Sequence, residues 1–328
     1  MKLFIKDRLT FETKAAVDIY NYTLVQSIYT DLSDITTAYT ENINDDDIIF
    51  TLDGFIALVN DSEREGDNVL HITAKDISYL FNNKQLYDGD AENYTAETYL
   101  YNNLLSEYVN QTDSFYQLTY LNLTKLTSTS VSTPTLEEGL WTVKSYISQI
   151  RRLYNIFVNY TVMTNKLEIT IGKDARSTKT LITTNRPVDV LEETFSSSTV
   201  AKITAYNRST NPVSTTNYYL LSDGTFTTNA AADDRVSGDW EWLEIMSGED
   251  EQERVLNKFK ENSYSHKVSL LMPDEEARFD FYDPITLELR NHYYTTYISK
   301  KIRHDDGTVE YQCGELRTTL TDKINQQL

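Results

Sequence analysis

The bulky uncharged positions of this chain are filled by tyrosine, phenylalanine and threonine: 24 Tyr and 12 Phe stand against 3 Trp and 4 Met. Aromatic and β-branched side chains pack well on a pleated, half-buried surface, so this choice directs the chain toward β-sheet. Punctuation is sparse. The ten Gly and five Pro are thinly spread, and no Pro precedes Pro134. Low-complexity linkers are absent, so domains must be joined by short structured crossings. No internal repeat of solenoid or propeller length is present.

Hydrophobic periodicity divides the chain into three parts. Residues 1–87 read as an N-terminal β-barrel-like domain. Its strands are Thr23–Tyr29, Ile48–Val59 and Val69–Thr73, with turns at Asn42–Asp47 and Asp61–Asn68. Ala74–Asn82 has Ile77, Leu80 and Phe81 at helical spacing. Residues 88–176 read as an α+β middle domain. Leu100, Leu104 and Tyr108 predict a helix over Thr95–Val109. Thr135 and Glu138 have the spacing of a capping box, after which Leu140, Val143, Ile147, Ile150 and Tyr154 form an apolar stripe. Strands Phe157–Met163 and Lys166–Ile171 flank a turn at Thr164-Asn165.

Residues 177–328 read as a second β-barrel-like domain with a helical insertion around 247–263. Ala201–Tyr206, Asn217–Leu221 and Thr225–Thr228 form a meander turning at Asp223-Gly224. In the insertion Ser247 is the expected cap, Glu249, Asp250 and Glu251 fill the first turn, and Lys258 and Lys260 lie near the end, as the helix dipole favours. Val255, Leu256 and Phe259 give it a buried stripe. Strands resume at Lys267–Leu271, Thr286–Leu289, Thr295–Ile302 and Thr308–Cys313, with a hairpin turn at Asp306-Gly307. The expected fold class is β-rich α+β: two β-barrel-like domains, an α+β middle section and a small helix-containing insertion.

Charge excludes several functions. A net charge of −20 opposes a grip on phosphates. The dense basic run Lys300-Lys301-Ile302-Arg303 reads as a solvated strand edge. The single Cys313 permits neither an internal disulfide nor a thiolate zinc cage. Met1–Arg8 is charged too early for a signal-peptide core, and Phe55–Val59 is far too short to span a membrane, so synthesis in the cytoplasm is expected.

Catalytic constellations are missing from the sequence. His71, His266, His292 and His304 are scattered, and no nucleophile elbow, phosphate loop or dinucleotide fingerprint occurs. Asp45-Asp46-Asp47, Asp88/Asp90/Glu92 and Asp233-Asp234 lack EF-hand spacing and read as solvated turns, with an incidental calcium site or a glycosidase pair as the lesser readings. Tyr218-Tyr219 and Tyr293-Tyr294, at strand spacing, place one ring inward and one outward rather than forming a sugar platform. No catalytic, cofactor-binding or metal-binding residue is expected, and no cofactor.

The run Lys202–Asn207 followed by Tyr218–Thr228, the Glu-rich helix, the strand His266–Leu271 and the closing segment Gly314–Asp322 resemble the phage tail proteins that form the baseplate hub. That family includes the structural module of tail-associated lysins, and contractile-tail hubs are related to it. The resemblance lies in the ordered series and covers essentially the whole chain. It implies a homotrimeric ring of pseudo-sixfold symmetry joining the tail tube to the tip, with a path for DNA. It also implies a distal tail ring protein and a receptor-binding or tail-tip protein as partners, and a place in the virion. Many relatives continue into a peptidoglycan-degrading domain; this chain ends at Leu328, so no enzyme activity is carried over. Two other readings compete. A carbohydrate- or receptor-binding tail module requires an exposed aromatic platform, and a cell-wall enzyme requires a cleft with two carboxylates, one with a raised pKa.

Overall fold

The computed structural model describes residues 1–314 except 29–30, 39–42, 67, 83, 88–93, 127–139, 155, 174–176, 184–186, 196–199, 223–224, 247–248, 261–265, 277–278 and 290–291. Six strands form the N-terminal unit: β1 (Lys2–Lys6), β2 (Thr13–Ser27), β3 (Ser33–Ala38), β4 (Ile48–Phe50), β5 (Ile56–Glu65) and β6 (Val69–Asp76). They pair in the order β1-β4-β5-β6-β3-β2, and pairing of β1 with β2 closes the barrel. Alternate residues such as Leu3 and Ile5, Ala57 and Val59, and Leu70 and Ile72 fill its interior. Each Leu, Ile or Val among them contributes about 1.5–3 kcal/mol when fully buried. The apolar run Phe55–Val59 is continuous because β5 buries both faces, with Leu58 pointing into the neighbouring core.

Three readings of this region are corrected. Asp61–Asn68 is not a turn: β5 runs to Glu65 and the chain reverses at Gly66, whose φ is 62°. Ala74–Asn82 is not an α-helix: β6 continues to Asp76, whose carboxylate accepts from the Ser78 amide at 2.9 Å and caps a short 3-10 turn, Ile77–Phe81. The single strand expected over Ile48–Val59 is two, β4 and β5, joined through Gly54 with φ 98°.

The middle section contains β7 (Gln85–Tyr87), α1 (Ala96–Leu104), β8 (Leu121–Lys125), β9 (Leu140–Thr142), α2 (Val143–Tyr154), β10 (Ile156–Val162) and β11 (Leu167–Lys173). A single π-turn, Leu105–Val109, prolongs α1, matching the expected helix. Tyr146 and Ile150 of α2, Leu100 of α1 and Ile169 of β11 are fully buried together, with Leu80 and Phe81 packed into the same core. Here α2 starts later than the apolar stripe implies. Leu140 lies in β9, paired with Tyr87, and Thr142 is the cap, its hydroxyl accepting from the Ser145 amide at 3.1 Å. The proposed capping box at Thr135 and Glu138 lies outside the described residues.

The last part holds β12 (Lys179–Ile182), β13 (Asp189–Phe195), β14 (Val200–Asn207), β15 (Ser214–Leu220), β16 (Phe226–Thr227), β17 (Asp239–Ile245), α3 (Glu251–Lys260), β18 (His266–Pro273), β19 (Pro284–Leu289), β20 (His292–His304) and β21 (Thr308–Cys313). Strands in the order β12-β19-β20-β21-β18-β13 surround a second apolar core that includes Leu270, Ile285, Ile298 and Val309. Between β13 and β18 the chain builds a separate sheet, β16-β15-β14-β17, with α3 against one face. The expected meander is therefore incomplete: β17 was not anticipated, and it pairs with β14 in parallel. Ser247 and the Asp223-Gly224 turn lie outside the described residues; Asp250 caps α3 by accepting from the Glu253 amide at 2.9 Å. The fold is β-rich α+β.

Candidate functional site

The two barrel-like units are fused edge to edge. Thr23–Ser27 of β2 pair with Lys300–His304 of β20, making one twelve-stranded sheet. This overturns the reading of Lys300–Arg303 as a solvated edge, because β20 is flanked by β2 and β21. Its cations are matched by carboxylates from both units. Lys300 pairs with Asp31 at 3.1 Å, buried Lys301 reaches Asp280 at 3.5 Å, and Arg303 meets Asp53 of the β4–β5 turn and Asp274 at 3.3 Å. A basic run of this kind fixes the two units together rather than gripping a polyanion.

Two residues of the first acidic cluster also hold the fold. Asp46 pairs with Arg8 at 2.6 Å and with Lys75 at 2.7 Å. Asp47 is buried, pairs with Lys14 at 2.7 Å and accepts from the Asn44 amide at 2.8 Å. Asp233-Asp234 sit in the exposed turn after β16. Asp88, Asp90 and Glu92 lie outside the described residues. Among the described residues no three His, Cys, Asp or Glu side chains converge as a metal site. His71 meets Thr36 and Glu65, and His304 stands in β20 opposite Thr23. His266 and His292 lie in β18 and β20 and Tyr293-Tyr294 in β20, where the described structure extends to their backbone alone.

A cleft of about 860 Å³ opens where the barrel, α2, β10 and the loop before β19 meet. Each carboxylate facing it is already engaged: Asp53 with Arg303, Asp76 with Ser78, and Asp280 with Lys301. The buried Tyr160 phenol also lines it, pushed well above its ordinary pKa by desolvation.

The β14–β17 sheet carries the most distinctive surface. Ile203, Ala205 and Tyr218 face α3, and the Tyr218 hydroxyl donates to Glu251 at 2.8 Å. Burial, and then the neighbouring Glu251 carboxylate, push this phenol up to about 12. Tyr219 points the other way, as its strand position requires. In register with it stand Lys202 and Trp240; one row along stand Thr204 and Trp242, with Tyr206 next on β14. Trp240 and Trp242 are 63% and 68% exposed. The Trp240 indole N–H donates to Thr204 at 2.8 Å, and Tyr206 meets Trp242 edge to face at 6.4 Å between centroids. Lys202 lies 4.7 Å from the Trp240 ring centre, and Arg235 lies 5.1 Å from that of Tyr219. Sequence reading missed this face because Asp239, Glu241 and Glu244 make Asp239–Ile245 acidic and only Leu243 and Ile245 are aliphatic. The Trp-x-Trp spacing was the available signal, since a two-residue period puts both rings on one side of a strand.

No protein-family model and no curated protein matches this sequence. Solved structures do match along its whole length. Prophage tail protein gp18 of Listeria monocytogenes superposes with a TM-score of 0.57 at 10% identity, covering 100% of this chain and 98% of that one. The 43 kDa tail protein of prophage MuSo2 from Shewanella oneidensis gives 0.56 at 11% identity, covering 96% and 99%. A chain of the phage P2 baseplate in its activated conformation with Ca gives 0.51 at 12% identity, covering 97% and 99%. The chain has the fold of phage tail and baseplate proteins. Its neighbours within that class are prophage tail proteins and a baseplate component.

Proposed function

We propose that this chain is a structural hub protein of a phage or prophage baseplate. Three copies form a ring that joins the tail tube and distal tail ring to the tail tip and leaves a path for DNA. The observation that carries this reading is the end-to-end match to tail proteins, 100% of this chain against 98% of the Listeria protein. The fusion of two six-stranded units through β2 and β20 supports it physically. Three such chains present six barrel-like units, suited to matching a sixfold tube to a threefold tip. Separate apolar cores support a division at 1–87, 88–176 and 177–328, although Phe11, Ile48, Leu58, Ile77, Leu80, Phe81 and Leu86 pack with the middle one and the β14–β17 sheet has a core of its own.

In this reading the partners are two further copies, a distal tail ring protein and a receptor-binding or tail-tip protein. The protein is made in the host cytoplasm and ends in the virion tail. It is non-enzymatic. The charge of −20 gives a channel lining little affinity for DNA. A second reading, a carbohydrate- or receptor-binding module, is favoured by the exposed Trp240 and Trp242. The test is solution mass by light scattering, alone and with the distal tail ring protein. The hub reading expects a trimer in at least one condition; a monomer in both, with no binding to the ring protein, refutes it.

A further inference from the structure

Two exposed surfaces of this chain are complementary to each other. The first is the aromatic face of the β14–β17 sheet, where Lys202 and Arg235 lie over the Trp240 and Tyr219 rings. It is an aromatic patch with two cations over its rings and with exposed Asp233 and Asp234 next to Arg235. The second is β13, which ends the strand order of the large sheet and pairs with β18 alone among the described strands. A register shift between Val190 and Glu192 leaves both Val190 and Leu191 exposed, at 39% and 52%, beside exposed Asp189 and beside Glu192, which pairs with Lys267 of β18 at 3.0 Å. An edge strand with outward aliphatic side chains is a surface that proteins normally cover.

We propose that the aromatic face of one copy docks on the acidic, aliphatic β13 edge of the next copy. This rests on the homotrimer reading and names the contact that would build the ring. A face-to-face contact between two aromatic patches would oppose Lys202 and Arg235 with their own kind. The head-to-tail arrangement places cations against carboxylates and rings against aliphatic groups. Such a heterologous contact generates a closed ring when its rotation closes, as a two-fold contact does not. Trp, Tyr and Arg are also the residues that dominate the energy of protein interfaces. A sugar is the weaker occupant, because stacking needs open ring faces and Lys202 and Arg235 already lie over two of them.

Four variants of the full chain test this, with solution mass read alone and with the distal tail ring protein present. All substituted side chains lie at the surface, so unchanged circular dichroism and melting temperature are the control for folding. The double substitution Trp240→Ala with Trp242→Ala is expected to dissociate the trimer, weakening association by at least about tenfold per ring. Lys202→Glu with Arg235→Glu, and separately Asp189→Lys with Glu192→Lys and Lys267→Glu, which keeps the β13–β18 ion pair in inverted form, are each expected to do the same. Combining the two charge reversals is expected to restore the trimer, because the sign of every pair is inverted together. A wild-type trimer that persists in all variants overturns this contact and leaves the hub reading intact. Dissociation without rescue in the combined variant overturns the pairing of these two surfaces. A wild-type monomer in both conditions overturns the hub reading itself. Variants that stay trimeric but lose binding to a purified cell-wall polysaccharide assign the aromatic face to a glycan and overturn this contact.

Discussion

The guanidinium of Arg151, on α2, donates to the main-chain carbonyl of Tyr282 at 2.7 Å and lies 4.7 Å from the ring centre of Tyr297. Tyr282 has a φ of 67°, a left-handed conformation that costs a bulky residue about 1–2 kcal/mol. Its amide donates to Ile298 at 3.0 Å, and the next residue, Asp283, is buried against Lys179 at 2.5 Å. A strained turn is thus held by three elements, and through it the middle section is tied to the second barrel.

Arg151→Ala removes that tie and opens a space between the two tyrosine rings. A loss of about 2–4 kcal/mol in urea unfolding is expected, from the missing charge-assisted hydrogen bond and the lost packing. Arg151→Lys is expected to recover only part, because an ammonium cannot reproduce the planar fork. Equal stability of Arg151→Ala and wild type would show that the contact carries no load.

Gly172 of β11 leaves no room for a side chain, since a Cβ there would stand 2.6 Å from the Leu126 Cβ. Relieving that overlap requires backbone movement, because a Cβ cannot rotate away. Gly172→Ala is expected to cost about 1–3 kcal/mol and lower the melting temperature, although alanine suits a strand better than glycine. A melting temperature at or above wild type contradicts the close approach of β8 and β11.

Alkaline pH should unfold the protein through its buried phenols. Tyr218 is raised from 10.0 to about 12, chiefly by burial, and burial also raises Tyr108, Tyr120 and Tyr311. A group whose pKa is higher in the folded state contributes its full stability below the unfolded pKa. That contribution is lost as pH rises, because the unfolded chain releases its proton first. Stability should therefore fall from about pH 10 upward. Phenolate absorbance during titration should show a late group of tyrosines that ionise together with the loss of ellipticity. Smooth ionisation of all tyrosines near the free value, without unfolding, would contradict their burial.

Cys313 is buried beside Val309 and Tyr311, and desolvation pushes its thiol up to about 12. The thiolate is the reactive form, so a disulfide reagent at neutral pH should leave the native protein unmodified and label one thiol on unfolding. Rapid labelling of the native protein would show that the second barrel opens.

The sequence by itself determined the β-rich class, the place of both long helices and the turn at Gly307. These depend on local periodicity, helix and strand propensities and turn chemistry, which act over a few residues. It also determined that Tyr218 and Tyr219 point to opposite faces, because a strand alternates. Tertiary structure alone decided the partners. Nothing local distinguishes the run Lys300–Arg303 at an edge from the same run between two strands; its pairing with Thr23–Ser27, far away in sequence, sets it between two strands and supplies Asp31 and Asp53, while Asp280 comes from the loop before β19. The same holds for β17, whose acidic Asp239, Glu241 and Glu244 hid a strand that parallel pairing with β14 stabilises. The aromatic face of that sheet exists because the β14–β15 hairpin and the later, parallel β17 bring Tyr219, Lys202 and Trp240 into one row. Side-chain direction is written residue by residue, while register and neighbourhood are set by contacts that form only when the whole chain has folded.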